Sequence, residues 1–181
     1  MNFEFLLPYW KVLTLYLIPI GGGIPAGVIL AKNYQIAWYY SMLLYFISDV
    51  ILAIVFEPLM HLAIKYFRHV KSFQHFVAIM KLSLQKTIEM YGNKSGPLAL
   101  IIVAFGVDPM TGRAVAKAAG HGFITGWMIA ITGDMFYFSV IMISTLWLNH
   151  LLGDGTTTTF IILALMLAVP IIIRKIRSRK I

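Results

Sequence analysis

Two runs of this chain, Ile36–Ile64 and Phe123–Leu148, are each longer than the roughly 20 apolar residues that carry a helix across a bilayer. The first contains Asp49 and a Glu57-Pro58 pair expected to kink it, and the second a single charged residue, Asp134. A third run, Thr156–Ile173, is long enough if its leading threonines lie at the interface. Composition agrees: 60% of residues are hydrophobic and 12% charged, against about 45–50% and about 25% in soluble domains. The expected fold class is an all-α polytopic membrane protein. The absence of cysteine excludes disulfides and thiolate chemistry.

The formal charge is +8. Arg174, Lys175, Arg177, Arg179 and Lys180 crowd the end of the chain, and Lys65, Arg68, Lys71, Lys81 and Lys86 share a central stretch. Both clusters abut apolar runs, so they read as positive-inside flanks and not as a nucleic-acid surface. The N-terminal MNFEFLLPYWK lacks a basic n-region and an A-x-A site, so no removable signal peptide is expected.

Two further apolar stretches are broken. Val12–Ala31 carries Gly21, Gly22, Gly23, Pro25 and Gly27 near its centre. Pro97–Val107 is short and runs into Asp108, Pro109, Gly112 and Arg113. Irregular backbone at membrane depth survives only where protein buries it or where it lines a wet cavity. Both stretches therefore read as re-entrant helical hairpins, spanning 12–31 and 97–120, with these residues at the tips.

Between them, Phe73, Phe76, Val77, Met80, Leu84, Ile88 and Tyr91 share one helical face, opposite Gln74, Lys81, Gln85 and Glu89. This is the pattern of one amphipathic helix lying on a surface. The expected organisation is a first half over 1–69 (hairpin 12–31, span 36–64) and a cytoplasmic amphipathic helix and loop over 70–96. The second half covers 97–181, with hairpin 97–120, spans 123–148 and 156–173, and a basic tail. The basic flanks put the central loop and the C-terminus in the cytoplasm of a cell-membrane protein, and give the halves opposite orientations.

Sliding the sequence on itself by 85 residues aligns Gly21 with Gly106, Gly27 with Gly112, Ala31 with Ala116, Lys32 with Lys117 and Asp49 with Asp134. Each series runs in the same order: a Gly/Pro break, an Ala-Lys pair, then one aspartate within the next span. Interrupted segments at matching positions of two inverted halves point to a transporter's binding site. An inverted repeat is the expectation.

An aspartate at mid-span costs about 2.5–3.5 kcal/mol on insertion scales, so Asp49 and Asp134 must face a cavity or a partner. Proton carriage and a fixed hairpin-locking role are both open for them. Arg113 is placed to pair with Asp108 or Asp134, or to hold an anionic head group bidentately. Lys32 and Lys117 either bind phosphate or snorkel to the interface. Glu57 and His61, four apart, read first as a helix emerging at the interface. The patterns Gly23-x-x-x-Gly27 and Gly122-x-x-x-Gly126 suit close helix packing and leave a homodimer open. No metal-ligand spacing, catalytic triad order or cofactor motif is present, so neither an enzyme nor a cofactor is expected.

At GGGIPAG (21–27), MYGNKSGPLAL (90–100) and VDPMTGRAVAKAAGHG (107–122) the chain resembles the small multidrug export proteins, a family that belongs with or close to the DedA/VTT superfamily. The likeness covers roughly residues 18–150. Pro109 and Arg113 are similar to the Pro-x-x-Arg hairpin tip of DedA proteins, with one extra residue between them. The acidic residue that the family carries before its first Ile-Pro is replaced here by Gly21–Gly23. The resemblance implies two re-entrant hairpins meeting head to head. It also implies proton-coupled export, or translocation of lipids such as polyprenyl phosphates and phospholipids. Three functions are therefore weighed: a coupled transporter of an amphipathic, anionic lipid or drug, an uncoupled lipid scramblase, and a structural membrane protein. Membrane lipids are the expected partners.

Overall fold

The structure is a computed structural model that describes residues 6–18, 23–67, 70–71, 74–75, 78–79, 82, 109–118 and 120–178. It is all-helical, with no strand among the described residues. The helices are α1 (Leu7–Tyr16), α2 (Gly23–Asn33), α3 (Trp38–Phe67), α4 (Pro109–Ala118), α5 (Phe123–Leu152) and α6 (Gly155–Ser178). Two of them, α3 and α5, are long and apolar enough to cross a membrane. Pro58 lies inside α3 without ending it. α6 runs through the expected third span, but its described apolar part, Gly155–Ala168, is shorter than a spanning length.

The chain divides into two compact units, Met1–Tyr45 with Phe138–Ile181, and Phe46–Tyr137. In the first unit α2 packs on α1 and on α6. The close approach depends on missing side chains. A Cβ on Gly23 would stand 2.4 Å from the Leu15 carbonyl oxygen, and one on Gly27 would stand 2.3 Å from Cε1 of Tyr16. The Gly23-x-x-x-Gly27 pattern is thus spent on helix packing. Tyr16 centres this unit's core: its hydroxyl meets Ser41 Oγ at 2.5 Å, and its ring stands edge-on to both Tyr45 and Phe138. In the second unit Trp127, Ala130 and Ala53 form a core joined by Phe56 and Ile131.

The helix bounds repeat at the same 85-residue offset that aligns the sequence. α3 shifted by 85 residues coincides with α5 at both ends, and α2 so shifted covers α4. The ends match in detail. α2 closes with Ile36 N–H on the Ala31 carbonyl and Gln35 N–H on that of Lys32. α4 closes with His121 N–H on Ala116 and Gly120 N–H on Lys117. Both are Schellman caps, with the left-handed residue at Gln35 (φ 55°) in one and Gly120 (φ 88°) in the other.

Of the expected amphipathic helix, Gln74, His75, Ala78, Ile79 and Leu82 are described; all are helical and exposed. Its proposed apolar face, together with Asp108, Gly21, Gly22 and the first arm of the 97–120 hairpin, lies outside the described residues.

Candidate functional site

The two long helices are built inside out. On α3 the buried positions are Ser41, Tyr45, Ser48, Asp49, Ala53, Glu57 and Met60. Their spacing of three, four and one makes a single stripe. Shifted by 85 they become Gly126, Ala130, Gly133, Asp134, Phe138, Met142 and Thr145 of α5, every one of them also buried. The outward faces carry Ile54, Val55, Leu59 and Leu62 on α3, and Ile124, Met128, Phe136 and Ile143 on α5, each more than half exposed. Acids buried and large aliphatics exposed is the reverse of a helix solvated by water.

Within the second unit, three helices converge on one buried ion pair. Arg113 of α4 donates from Nε to Glu57 Oε2 at 3.0 Å and from a terminal nitrogen, Nη2, to Glu57 Oε1 at 2.7 Å. This is the bidentate fork that makes arginine–carboxylate pairs strong and directional. Trp127 Nε1 of α5 donates to the same Oε2 at 2.9 Å. Room for the guanidinium comes from Gly126, where a Cβ would lie 2.7 Å from Nη1. Gly126 therefore serves the arginine, and a Cβ on Gly122 would meet nothing within 4 Å. Nη1 itself has no hydrogen-bond partner among the described residues.

The cluster extends outward. Lys117 Nζ is 4.0 Å from Glu57 Oε1 and 3.3 Å from His61 Nε2. His61 Nδ1 is 2.9 Å from the backbone carbonyl oxygen of Glu57. A tautomer protonated on Nδ1 satisfies both contacts, donating to the carbonyl and accepting from the lysine. Side-chain exposure rises along the series, from 2% at Arg113 and 9% at Glu57 to 29% at Lys117 and 63% at His61. Polar groups thus lead from a buried guanidinium to the surface.

Also in the second unit, Asp49 and Asp134 are buried to 1% and 2% exposure. They lie close enough to repel one another when both are charged. Asp49 Oδ2 has no hydrogen-bond partner among the described residues. Of the sequence candidates, Asp49 and Asp134 thus lie near one another, and Arg113 and Lys117 both lie at Glu57.

Lys32 stands apart, on α2 in the first unit. Gly23, Pro25 and Gly27 lie in the opening turns of α2, and Pro109 and Gly112 in the first turn of α4, where a proline costs no helical hydrogen bond. Arg113 has Glu57 as its acid, an assignment absent from the sequence reading, which offered Asp108 or Asp134. A signal for it existed: Glu57 stands eight residues after Asp49, two turns along the same helical face. Nothing in the local sequence marks Trp127, and the Gly122-x-x-x-Gly126 pattern marks Gly126 for helix packing alone.

Comparison of the chain with protein families, with curated proteins and with solved structures returned no match.

Proposed function

We propose that the chain is a multi-pass membrane transporter of the DedA type that moves an amphipathic, anionic substrate, a lipid or polyprenyl phosphate or a small drug, with proton coupling through Asp49 and Asp134. The observation that carries the reading is the pair of buried carboxylates on the two apolar helices. Two like charges in a low-dielectric interior repel strongly. A proton taken up by one carboxylate removes that repulsion, and its release restores it. The site thereby holds two charge states that a transport cycle can alternate between. An aspartate serving only to lock a hairpin has no need of a second one beside it.

The shared helix bounds, caps and buried positions at an offset of 85 support an inverted repeat, with the hairpins 12–31 and 97–120 as its re-entrant elements. The exposed aliphatic faces of α3 and α5 support lipid as their surroundings, in a cell membrane with the C-terminus cytoplasmic. Arg113, held by Glu57, is our candidate cation for an anionic head group, through Nη1, which has no hydrogen-bond partner among the described residues.

The test is translocation of a fluorescent phosphate-headed lipid in proteoliposomes, with and without a pH gradient. Gradient-driven movement in the wild type, lost in Asp49→Asn and Asp134→Asn proteins that unfold at the wild-type temperature, is the expected result. Movement indifferent to the gradient would replace coupling by scrambling. No movement of this lipid or of small amphipathic cations and anions would leave a structural protein.

A further inference from the structure

The first unit contains a pocket of about 240 Å³ lined in part by Val28, Lys32, Gln35, Trp38, Met142 and Leu146. At the 85-residue offset, Val28 corresponds to Arg113, Lys32 to Lys117, Met142 to Glu57 and Leu146 to His61. Those four counterparts are the members of the polar cluster in the second unit. Matched positions on matched helices therefore build two different things. In one set, long charged side chains meet between their helices. In the other, valine, methionine and leucine stop short and leave a pocket.

The lysine alone is kept in both sets, and its situation differs. Lys117 has Glu57 beside it. Lys32 is exposed and forms no ion pair among the described residues. An apolar recess with an uncompensated cation at its edge is complementary to a molecule with an apolar tail and an anionic head. The recess is smaller than the about 300–1,000 Å³ of sites that enclose a drug-sized ligand, so it takes one end of an amphiphile and leaves the rest outside. Trp38, Tyr39 and Tyr40 follow at once and are exposed, as aromatic residues are where head groups begin.

We infer that this pocket is a binding site for an anionic phospholipid, one acyl chain entering between Val28, Met142 and Leu146 and the phosphate lying at Lys32. The inference rests on the membrane reading above, but not on transport or on proton coupling.

The full-length protein is reconstituted in phosphatidylcholine nanodiscs doped with a phosphatidylglycerol whose acyl tail carries a diazirine. Adducts are mapped by mass spectrometry after illumination. Labelling is expected to concentrate on Val28, Met142 and Leu146, and to fall about fivefold in Lys32→Ala, the loss of one lysine–phosphate attraction. Leu146→Trp, which fills the recess, is expected to abolish it. Lys32 is exposed, so its variant keeps the test valid should the tryptophan variant fail to fold. Equal labelling by the matching phosphatidylcholine probe would overturn the anionic specificity. Competition by inorganic phosphate would overturn the lipid and assign a free-anion site. Adducts spread over the outward faces at Ile54, Leu62 and Ile143 would overturn the pocket altogether. Loss of labelling with gradient-driven transport intact removes this site alone, and labelling without transport removes only the transport reading.

Discussion

The helix pairs α2–α5 and α4–α3 set matched positions against each other, Val28 with Met142 and Arg113 with Glu57, yet what they place there is chemically opposed. Where Arg113 and Glu57 meet in the second unit, the matched positions of the first unit hold Val28, 2% exposed, and Met142, 5% exposed. The shared features are set by the backbone: a proline and a glycine in the opening turns, a left-handed closing residue, and a stripe of buried residues. What lines the inside is free to vary upon them. Since Val28 of α2 and Met142 of α5 manage without an ion pair, the helix arrangement itself does not demand one between α4 and α3.

This comparison is broken most severely by removing one charge. Glu57→Met alone leaves Arg113 buried with its bidentate partner gone, an expected loss of about 3–5 kcal/mol. The double variant Arg113→Val with Glu57→Met gives the second unit the residues of the first. Replacing a buried ion pair by apolar residues is often neutral or stabilising by about 1–4 kcal/mol. Trp127 Nε1 loses its acceptor in the double variant, at a cost of about 1–3 kcal/mol. This variant is therefore expected to unfold in detergent near the wild-type temperature and clearly above the single variant, while moving no substrate. Circular dichroism on heating measures the unfolding of the single and double variants, and the proteoliposome assay the movement of substrate. Equal destabilisation of single and double variants would mean that the matched positions are not equivalent environments.

The next largest effect belongs to Gly126. Adding a Cβ there forces the guanidinium from its place, since Nη1 is 2.7 Å away, at an expected cost of about 1–3 kcal/mol for overpacking. The matched residue in α3 is Ser41, which carries a Cβ and donates to or accepts from Tyr16. Gly126→Ala should thus be harmful in the wild type and close to neutral in Arg113→Val, a non-additivity that a double-mutant cycle reads directly. Additive losses would place the strain elsewhere than on the arginine.

Sequence made the two long helices and their buried aspartates legible, because both depend on local pattern. Apolar run lengths located α3 and α5 to within a few residues at each end, and the offset of 85 aligned Asp49 with Asp134 before any coordinates. The partner of Arg113 was not legible in the same way. Glu57 lies 56 residues earlier on another helix, next to a proline and four before a histidine, and reads locally as the exit of a helix into water. Which acid an arginine meets depends on how two helices are rotated against each other, and no single segment encodes that. Gly126 was obscured for a related reason. A glycine pattern that suits a helix backbone equally suits one large side chain.

The caps offer a subtler test, with opposite signs at matched positions. Gln35 sits in the left-handed region that an L side chain enters at a cost of about 1–2 kcal/mol. Gly120 occupies the same place in the second cap without that cost. Gln35→Gly is expected to raise stability by about 1 kcal/mol and Gly120→Ala to lower it by about the same amount. Two changes of the same sign would show that one of the caps is not closed as described.

The smallest effect tests where the likeness ends. Past Phe67 the backbone closes with Val70 N–H on the Phe67 carbonyl, whereas past Leu152 the chain turns at Gly153 (φ 71°) straight into α6. Asp154 caps that helix, taking the hydroxyl of Thr157, its N–H at 2.8 Å and the N–H of Thr156 at 3.1 Å. The Thr157 hydroxyl first, and then these two N–H groups, hold the Asp154 carboxyl below its usual range. A depressed carboxylate stabilises the fold fully above its unfolded pKa of about 3.9. That contribution is lost as pH falls through the folded value, because the unfolded chain then binds more protons. Asp154→Asn keeps a capping oxygen but not the charge. The unfolding temperatures of wild type and Asp154→Asn should therefore differ at neutral pH and converge as the pH falls below about 3.9 and through the lower folded value. A difference that stays constant across this range would mean that the charge at Asp154 is not engaged, and that α6 starts without the device that distinguishes the end of α5 from the end of α3.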